Sequence, residues 1–217
     1  MSSQYSALID SLASRRQFSF AFGALILMLL VFPFGATKAD DAVNARNFIE
    51  THAEHTLQTL TVKGISRTER VARFRKLLTR NFDIETIGRW VLGRYWRRAN
   101  IAQQKQYLKH FENLIVGTYA DRFERYAGEK LVIVKALSQS DKDVVVYTKI
   151  ARPTSEALLM VDWRVRRRGG NFAIVDVIVE GVSMGQTQRS EFASSIRRDG
   201  GLDGFIAELK KRVDSQS

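Results

Sequence analysis

The sequence predicts an α+β domain: helices first, then a four-stranded antiparallel meander, then two closing helices. Three observations predict it. Apolar residues recur at helical spacing as far as about residue 127. From Lys130 onward, runs of Val, Ile and aromatic residues take over, separated by short turn-prone segments. Helical spacing then returns from Gln188 to the end, broken once at Asp199-Gly200-Gly201. Segregated helices and strands with short links are the pattern of this fold class.

Residues 1–39 read as an export signal rather than as part of the fold. Arg15 and Arg16 precede an uncharged span from Gln17 to Thr37, which Pro33 and Gly35 break near its end. Thr37-Lys38-Ala39 places small residues at the two positions a signal peptidase reads, so cleavage is expected between Ala39 and Asp40. Ser14-Arg15-Arg16-Gln17-Phe18 fits a twin-arginine signal, and the same arginines also serve an ordinary secretory signal. A retained membrane anchor is the alternative, because the span approaches bilayer length. Residues 40–217 form a single expected domain, large enough for a core and a pocket.

The helices follow in order. Val43, Asn47, Leu57 and Leu60 mark a first helix ending near Gly64. Ser66-Arg67-Thr68-Glu69 is a capping box opening a second, with Val71, Phe74, Leu77 and Leu78 on one face. Asp83 caps a short third helix carrying Ile84, Ile87 and Val91, which Gly93 stops. The longest starts at Asn100 and Gln103 and keeps its period through Tyr107, Phe111, Leu114, Ile115 and Tyr119 to about Ala127.

The strands are expected at Leu131 to Ala136, Val144 to Ile150, Ala157 to Arg166 and Phe172 to Val179. Short connections between them favour an antiparallel meander. In the third, Ala157, Leu159, Val161, Trp163 and Val165 share a wholly apolar face; Leu158, Met160, Asp162, Arg164 and Arg166 point the other way. In the fourth, strict alternation puts Phe172, Ile174, Asp176 and Ile178 opposite Ala173, Val175, Val177 and Val179. The closing helices are expected at Gln188 to Arg197 and Leu202 to Val213.

Charge and chemistry narrow the function. The net charge is +11, and +9 once residues 1–39 are removed. A positive surface suits nucleic acid, anionic headgroups or an acidic protein, and export argues against nucleic acid. With no cysteine, the chain has neither a disulfide framework nor a thiolate metal site. His52 and His55 share a helix face without a carboxylate pattern beside them, so no metal is expected. Nothing matches a nucleophile elbow or a phosphate-cradling loop, and no catalytic residue is assigned.

The stretch Asp176, Val177, Val179, Glu180, Gly181, Val182, Ser183, Met184 resembles the MlaC family of periplasmic phospholipid-binding proteins, also called toluene-tolerance proteins. Further pieces lie in the family's order. Phe82-Asp83-Ile84 leads to Leu92-Gly93-Arg94-Tyr95-Trp96, and Thr118-Tyr119-Ala120 sits on the long helix. Arg189-Ser190-Glu191-Phe192 then precedes Gly200-Gly201-Leu202-Asp203-Gly204-Phe205-Ile206. The chain departs from the family where Asn171-Phe172 stands in place of a frequent Trp. The resemblance implies a shuttle moving phospholipid between an outer-membrane lipoprotein complex and an inner-membrane ABC transporter with a periplasmic lipid-binding subunit. That role maintains outer-membrane lipid asymmetry. Phospholipid is then cargo, and no cofactor is expected.

A diacyl phospholipid exposes on the order of 30 methylenes at roughly 0.8 kcal/mol each, so it does not cross water unaided. A carrier must offer a wide uncharged wall. The candidates for that wall are Phe111, Ile115, Tyr119, Val146, Met160, Trp163, Ile174 and Val177, and those for a headgroup mouth are Arg94, Tyr95 and Tyr147. The competing reading is an exported pocket enzyme, a ketosteroid-isomerase-like cone acting on an apolar small molecule, with Asp162, Asp176 or Glu180 as acid or base.

Overall fold

The computed structural model describes residues 36–126, 128–153 and 155–215. Four helices come first: α1 (Ala36–Leu60), α2 (Arg67–Asn81), α3 (Ile84–Leu92) and α4 (Ile101–Tyr119). Next come β1 (Lys130–Ser138), β2 (Asp143–Arg152), β3 (Ser155–Arg168), β4 (Asn171–Val179) and β5 (Val182–Ser183). Helices α5 (Met184–Arg198) and α6 (Leu202–Asp214) close the chain. The expected export segment lies outside the described residues up to residue 35. Helix α1 then runs through the expected cleavage point at Ala39-Asp40.

The α+β class stands, with one strand more than expected. All neighbours in the sheet are antiparallel, in the order β1-β2-β3-β4-β5. The fifth strand has two residues, which is too short to leave a period-two signal.

The helix starts follow from side-chain caps. Ser66 accepts from the Glu69 amide at 3.1 Å, and Asp83 from the Thr86 amide at 3.1 Å. Asn100 and Gln103 form a reciprocal capping box, each bond 2.9 Å long. Gly93 ends α3 with φ +61°, a conformation that favours glycine. A 3-10 turn follows at Gly93–Tyr95. The long helix stops being α-helical at Tyr119 and continues as a 3-10 stretch, Ala120–Arg125, so the period expected to residue 127 tightens eight residues early.

Beta strand β4 departs from strict alternation. Val165 pairs with Ile174 but Arg164 pairs with Asp176, leaving Val175 as the extra residue of a bulge. Ile174 and Val177 therefore share a face, and Asp176 moves to the other side. This corrects the alternation read from sequence.

The apolar interior has two parts. A helical cluster gathers Val91, Leu92, Tyr107, Phe111, Leu114, Phe192, Phe205 and Leu209 from α3, α4, α5 and α6. Fully buried Tyr107 donates to the Gly88 carbonyl at 2.9 Å and stacks on Phe111 at 5.7 Å. A second cluster lies between α1 and the sheet: Ala45 and Ile49 meet Val144, Val146, Val165 and Ile174. At its edge, Phe82 bridges Ile174 and the Asp83 amide donates to the Ile174 carbonyl at 3.0 Å. This contact fastens the α2–α3 junction to β4.

Candidate functional site

The turn between β4 and α5 is a tightly built hydrogen-bonded unit. Glu180 and Gly181 have φ +49° and +79°, the pair of positive values a two-residue hairpin turn requires. Glu180 is not a glycine, and holding it there costs about 1 kcal/mol. Two bonds to Met160 offset that cost: the Glu180 amide donates to the Met160 carbonyl at 2.9 Å, and Glu180 Oε1 accepts from the Met160 amide at 2.7 Å.

Asp176 anchors the rest of the turn. Its Oδ2 accepts from the Ser183 hydroxyl at 2.7 Å, and its Oδ1 accepts from the Gly185 amide at 3.1 Å. Ser183 then caps α5 by accepting from the Gln186 amide at 3.0 Å. A Cβ on Gly185 would stand 2.7 Å from the Trp90 ring and 3.1 Å from Asp176, so the close approach of α3 and α5 needs glycine there. The Asp-x-x-x-Glu-Gly-x-Ser pattern is thus explained by packing and hydrogen bonding.

The carboxylates that an enzyme reading would use are committed locally. Asp176 and Glu180 hold the turn, and Asp162 accepts from the Thr148 amide at 3.4 Å.

The predicted wall residues fall into three places. Val146, Trp163, Ile174 and Val177 share the sheet face under α1. Val146 and Ile174 are covered, whereas Trp163 and Val177 are half-buried. The Trp163 indole donates to the Thr148 hydroxyl at 3.2 Å, and that hydroxyl donates to the Val161 carbonyl. The indole is therefore tethered to β2 on the apolar face. Phe111 and Ile115 belong to the helical cluster, Phe111 within it and Ile115 packed against it. Tyr119, at the end of α4, is 37 % exposed with Arg122 over its ring at 4.9 Å.

Met160 is a correction, and the mouth candidate Tyr147 stands on the same side of the sheet as Met160. The β2–β3 register pairs Met160 with Lys149 and Tyr147 with Asp162, so both stand on the opposite sheet face from Val146 and Trp163. Period-two alternation alone forbids a shared wall. Tyr147 carries Lys135 over its ring at 4.9 Å. Arg94 and Tyr95 also lie elsewhere: Tyr95 packs on the helical cluster, and Arg94 donates to its hydroxyl at 3.1 Å. That bond holds the Tyr95 phenol below its ordinary pKa.

Two hollows stand out among the described residues. One, of about 840 Å³, opens between α5 and α6, with Glu191, Arg198, Glu208 and Arg212 on its lining. The other, of about 390 Å³, is edged by His52, His55, Arg80 and Asn81. Neither contains a predicted wall residue. His52 lies 4.3 Å from the Phe48 ring, and burial, with Arg80 and His55 nearby, lowers its pKa. No three His, Asp or Glu side chains come together for a metal among the described residues.

The family model described as MlaC protein matches residues 50–211, three quarters of the chain. The chain belongs to the MlaC family. It is 24 % identical over 132 residues to the intermembrane phospholipid transport system binding protein MlaC of Haemophilus influenzae. It is 24 % identical over 123 residues to the toluene tolerance protein ttg2D of Pseudomonas putida. These matches take in 59 % and 54 % of this chain, and the chain spans 61 % and 57 % of the two relatives. A phospholipid-binding protein from Ralstonia solanacearum, solved with a phospholipid bound, shares the fold: its TM-score is 0.72 at 21 % identity, covering 80 % of this chain and 98 % of that one. The MlaC fold thus accounts for both the helical layer and the sheet.

Proposed function

We propose that the chain is a periplasmic phospholipid-binding carrier, exchanging lipid between an outer-membrane lipoprotein complex and an inner-membrane ABC transporter. The observation that carries this is the divided apolar interior. The sheet cluster and the helical cluster share no residue, and half-buried apolar side chains border both: Ile133, Trp163 and Val177 on one, Leu108 and Ile115 on the other. Acyl chains enter by parting α1 and the helical layer from the apolar sheet face, replacing side-chain contacts with methylene contacts of similar worth. Binding that matches the bilayer as a solvent, and does not exceed it, permits release.

The N-terminus fits export. Cleavage after Ala39 leaves Asp40 and Asp41 in the first turn of α1, where acidic groups complement the helix dipole. Asp41 already pairs with Arg167 at 3.5 Å. No helix among the described residues is long and apolar enough to cross a membrane.

Transfer between vesicles tests the proposal. Donor vesicles carrying a quenched fluorescent phospholipid are mixed with unlabelled acceptors. The protein is expected to raise the rate of dequenching in proportion to its concentration, and a rate equal to that of vesicles alone contradicts the reading.

A further inference from the structure

Helix α3, the 3-10 turn with the residues just after it, and α5 include six arginines of interest: Arg89, Arg94, Arg97, Arg98, Arg189 and Arg197. Three of them lie over aromatic rings. Arg89 stands 5.3 Å from the Trp96 centroid, Arg94 5.1 Å from Tyr95, and Arg189 5.4 Å from Trp90. Arg189 also donates to the Trp90 carbonyl at 2.9 Å and rests against Gly93, which fixes α5 to the end of α3. Arg197 reaches the same Tyr95 that Arg94 contacts. These contacts draw Arg89, Arg94, Arg189 and Arg197 together from positions far apart in sequence, and Arg97 and Arg98 follow Trp96 directly in the chain.

The patch is poor in counter-charge. Arg89 pairs with Glu85 at 3.5 Å, and the other five arginines have no carboxylate partner among the described residues. Trp90 is 42 % exposed in its midst. Guanidinium groups held over rings have already lost part of their freedom, so little more is lost when they meet phosphate. An indole ring amid cations is the side chain favoured at headgroup depth.

We propose that this arginine–aromatic platform docks the protein on an anionic phospholipid bilayer, guanidinium groups against headgroup phosphates and Trp90 at headgroup level. An acidic protein surface is the other anionic partner. A bilayer is favoured because Trp90, 42 % exposed with Arg189 over its ring, is the amphipathic aromatic that suits headgroup depth, whereas an acidic protein surface has no need of it. Fluid headgroups, by contrast, rearrange to meet a fixed array of cations. The docking is separate from cargo binding, since the platform belongs to the helical layer and an unloaded protein docks equally well.

Cosedimentation tests it, using protein isolated from cells with the N-terminus it carries there. Vesicles of phosphatidylglycerol and phosphatidylcholine in equal parts are compared with pure phosphatidylcholine. Binding to the anionic vesicles is expected, falling as salt rises. Each of Arg94→Gln, Arg97→Gln and Arg197→Gln weakens it by roughly fivefold, and the triple variant by on the order of a hundredfold. Removing the same charge at the sheet, in the triple Lys130→Gln, Lys149→Gln, Arg152→Gln, weakens it only a few-fold by general attraction. Equal losses in the two triples overturn the proposal, as does binding indifferent to lipid charge. A protein that ignores vesicles but is retained on immobilised polyglutamate through the same arginines also overturns it, in favour of an acidic protein partner. Cargo is read separately by lipid extraction, so failure of docking and failure of the carrier reading are distinguishable.

Discussion

Val146→Glu is expected to lower the melting temperature by roughly 6–16 °C and to abolish phospholipid loading. Val146 is fully buried at the centre of the sheet face, paired with Ala136 on one side and Trp163 on the other. The Thr148 hydroxyl, two residues along the same strand face, is already engaged with the Val161 carbonyl and the Trp163 indole. A carboxylate there has no partner. It either stays charged at a cost of about 3–4 kcal/mol or takes up a proton, which carries a cost of its own. Each kcal/mol is worth roughly 2–4 °C in a domain of this size. The milder Val177→Lys sits on the same face at a half-buried position, where a long stem carries its charge to water. It should fold with a near-normal melting temperature and still load poorly. Normal loading in a folded Val177→Lys protein would place the acyl chains elsewhere. Differential scanning fluorimetry and lipid extraction supply the two readouts.

Asp176→Ala is expected to cost about 3 kcal/mol, or roughly 6–12 °C in melting temperature. The carboxylate accepts from both the Ser183 hydroxyl and the Gly185 amide, and it is only 8 % exposed. Removing it strands the Gly185 amide beside the Trp90 ring and releases the cap residue of α5. Hydrogen bonds to a charged acceptor are worth about 1.5–3 kcal/mol each, and some of that returns when water enters. Asp176→Asn keeps an acceptor for one donor and should lose about half as much. Thermal melts that put the two variants within a degree of the parent would mean the turn is held by something other than this carboxylate.

These two positions show what the sequence displays and what it conceals. The helix starts at Ser66, Asp83 and Asn100 were legible because a cap is a local bond between residues three apart. The link from Ser183 back to Asp176 was not, because nothing in the spacing announces a hairpin of two residues with a second strand only two residues long. The face of Ile174 was misread for a related cause. A single extra residue, Val175, reverses the alternation beyond it, and an all-apolar strand leaves no polar residue to reveal the slip.

The candidate site was legible in part. Val146, Trp163, Ile174 and Val177 do share one face, but strict alternation set Ile174 opposite Val177, and only the bulge at Val175 brings the two together. Phe111 and Ile115 are separated from them by cluster, and no one-dimensional pattern says which layer a helix face will meet. Met160 was placed against alternation already visible in its own strand. The basic cluster at Arg94, Arg97 and Arg98 was visible as charge. Its completion by Arg189 and Arg197, about a hundred residues later, depends on α3 and α5 packing together through Gly185.

The account stands or falls on whether the apolar interior takes up a lipid. Protein isolated from cells under mild conditions, freed of loosely bound lipid by gel filtration and extracted with organic solvent, gives the direct measurement by mass spectrometry. Phospholipid present in molar proportion to the protein, and lost in the Val177→Lys protein, is the predicted result. A well-folded protein that carries no phospholipid and takes none up from vesicles contradicts it.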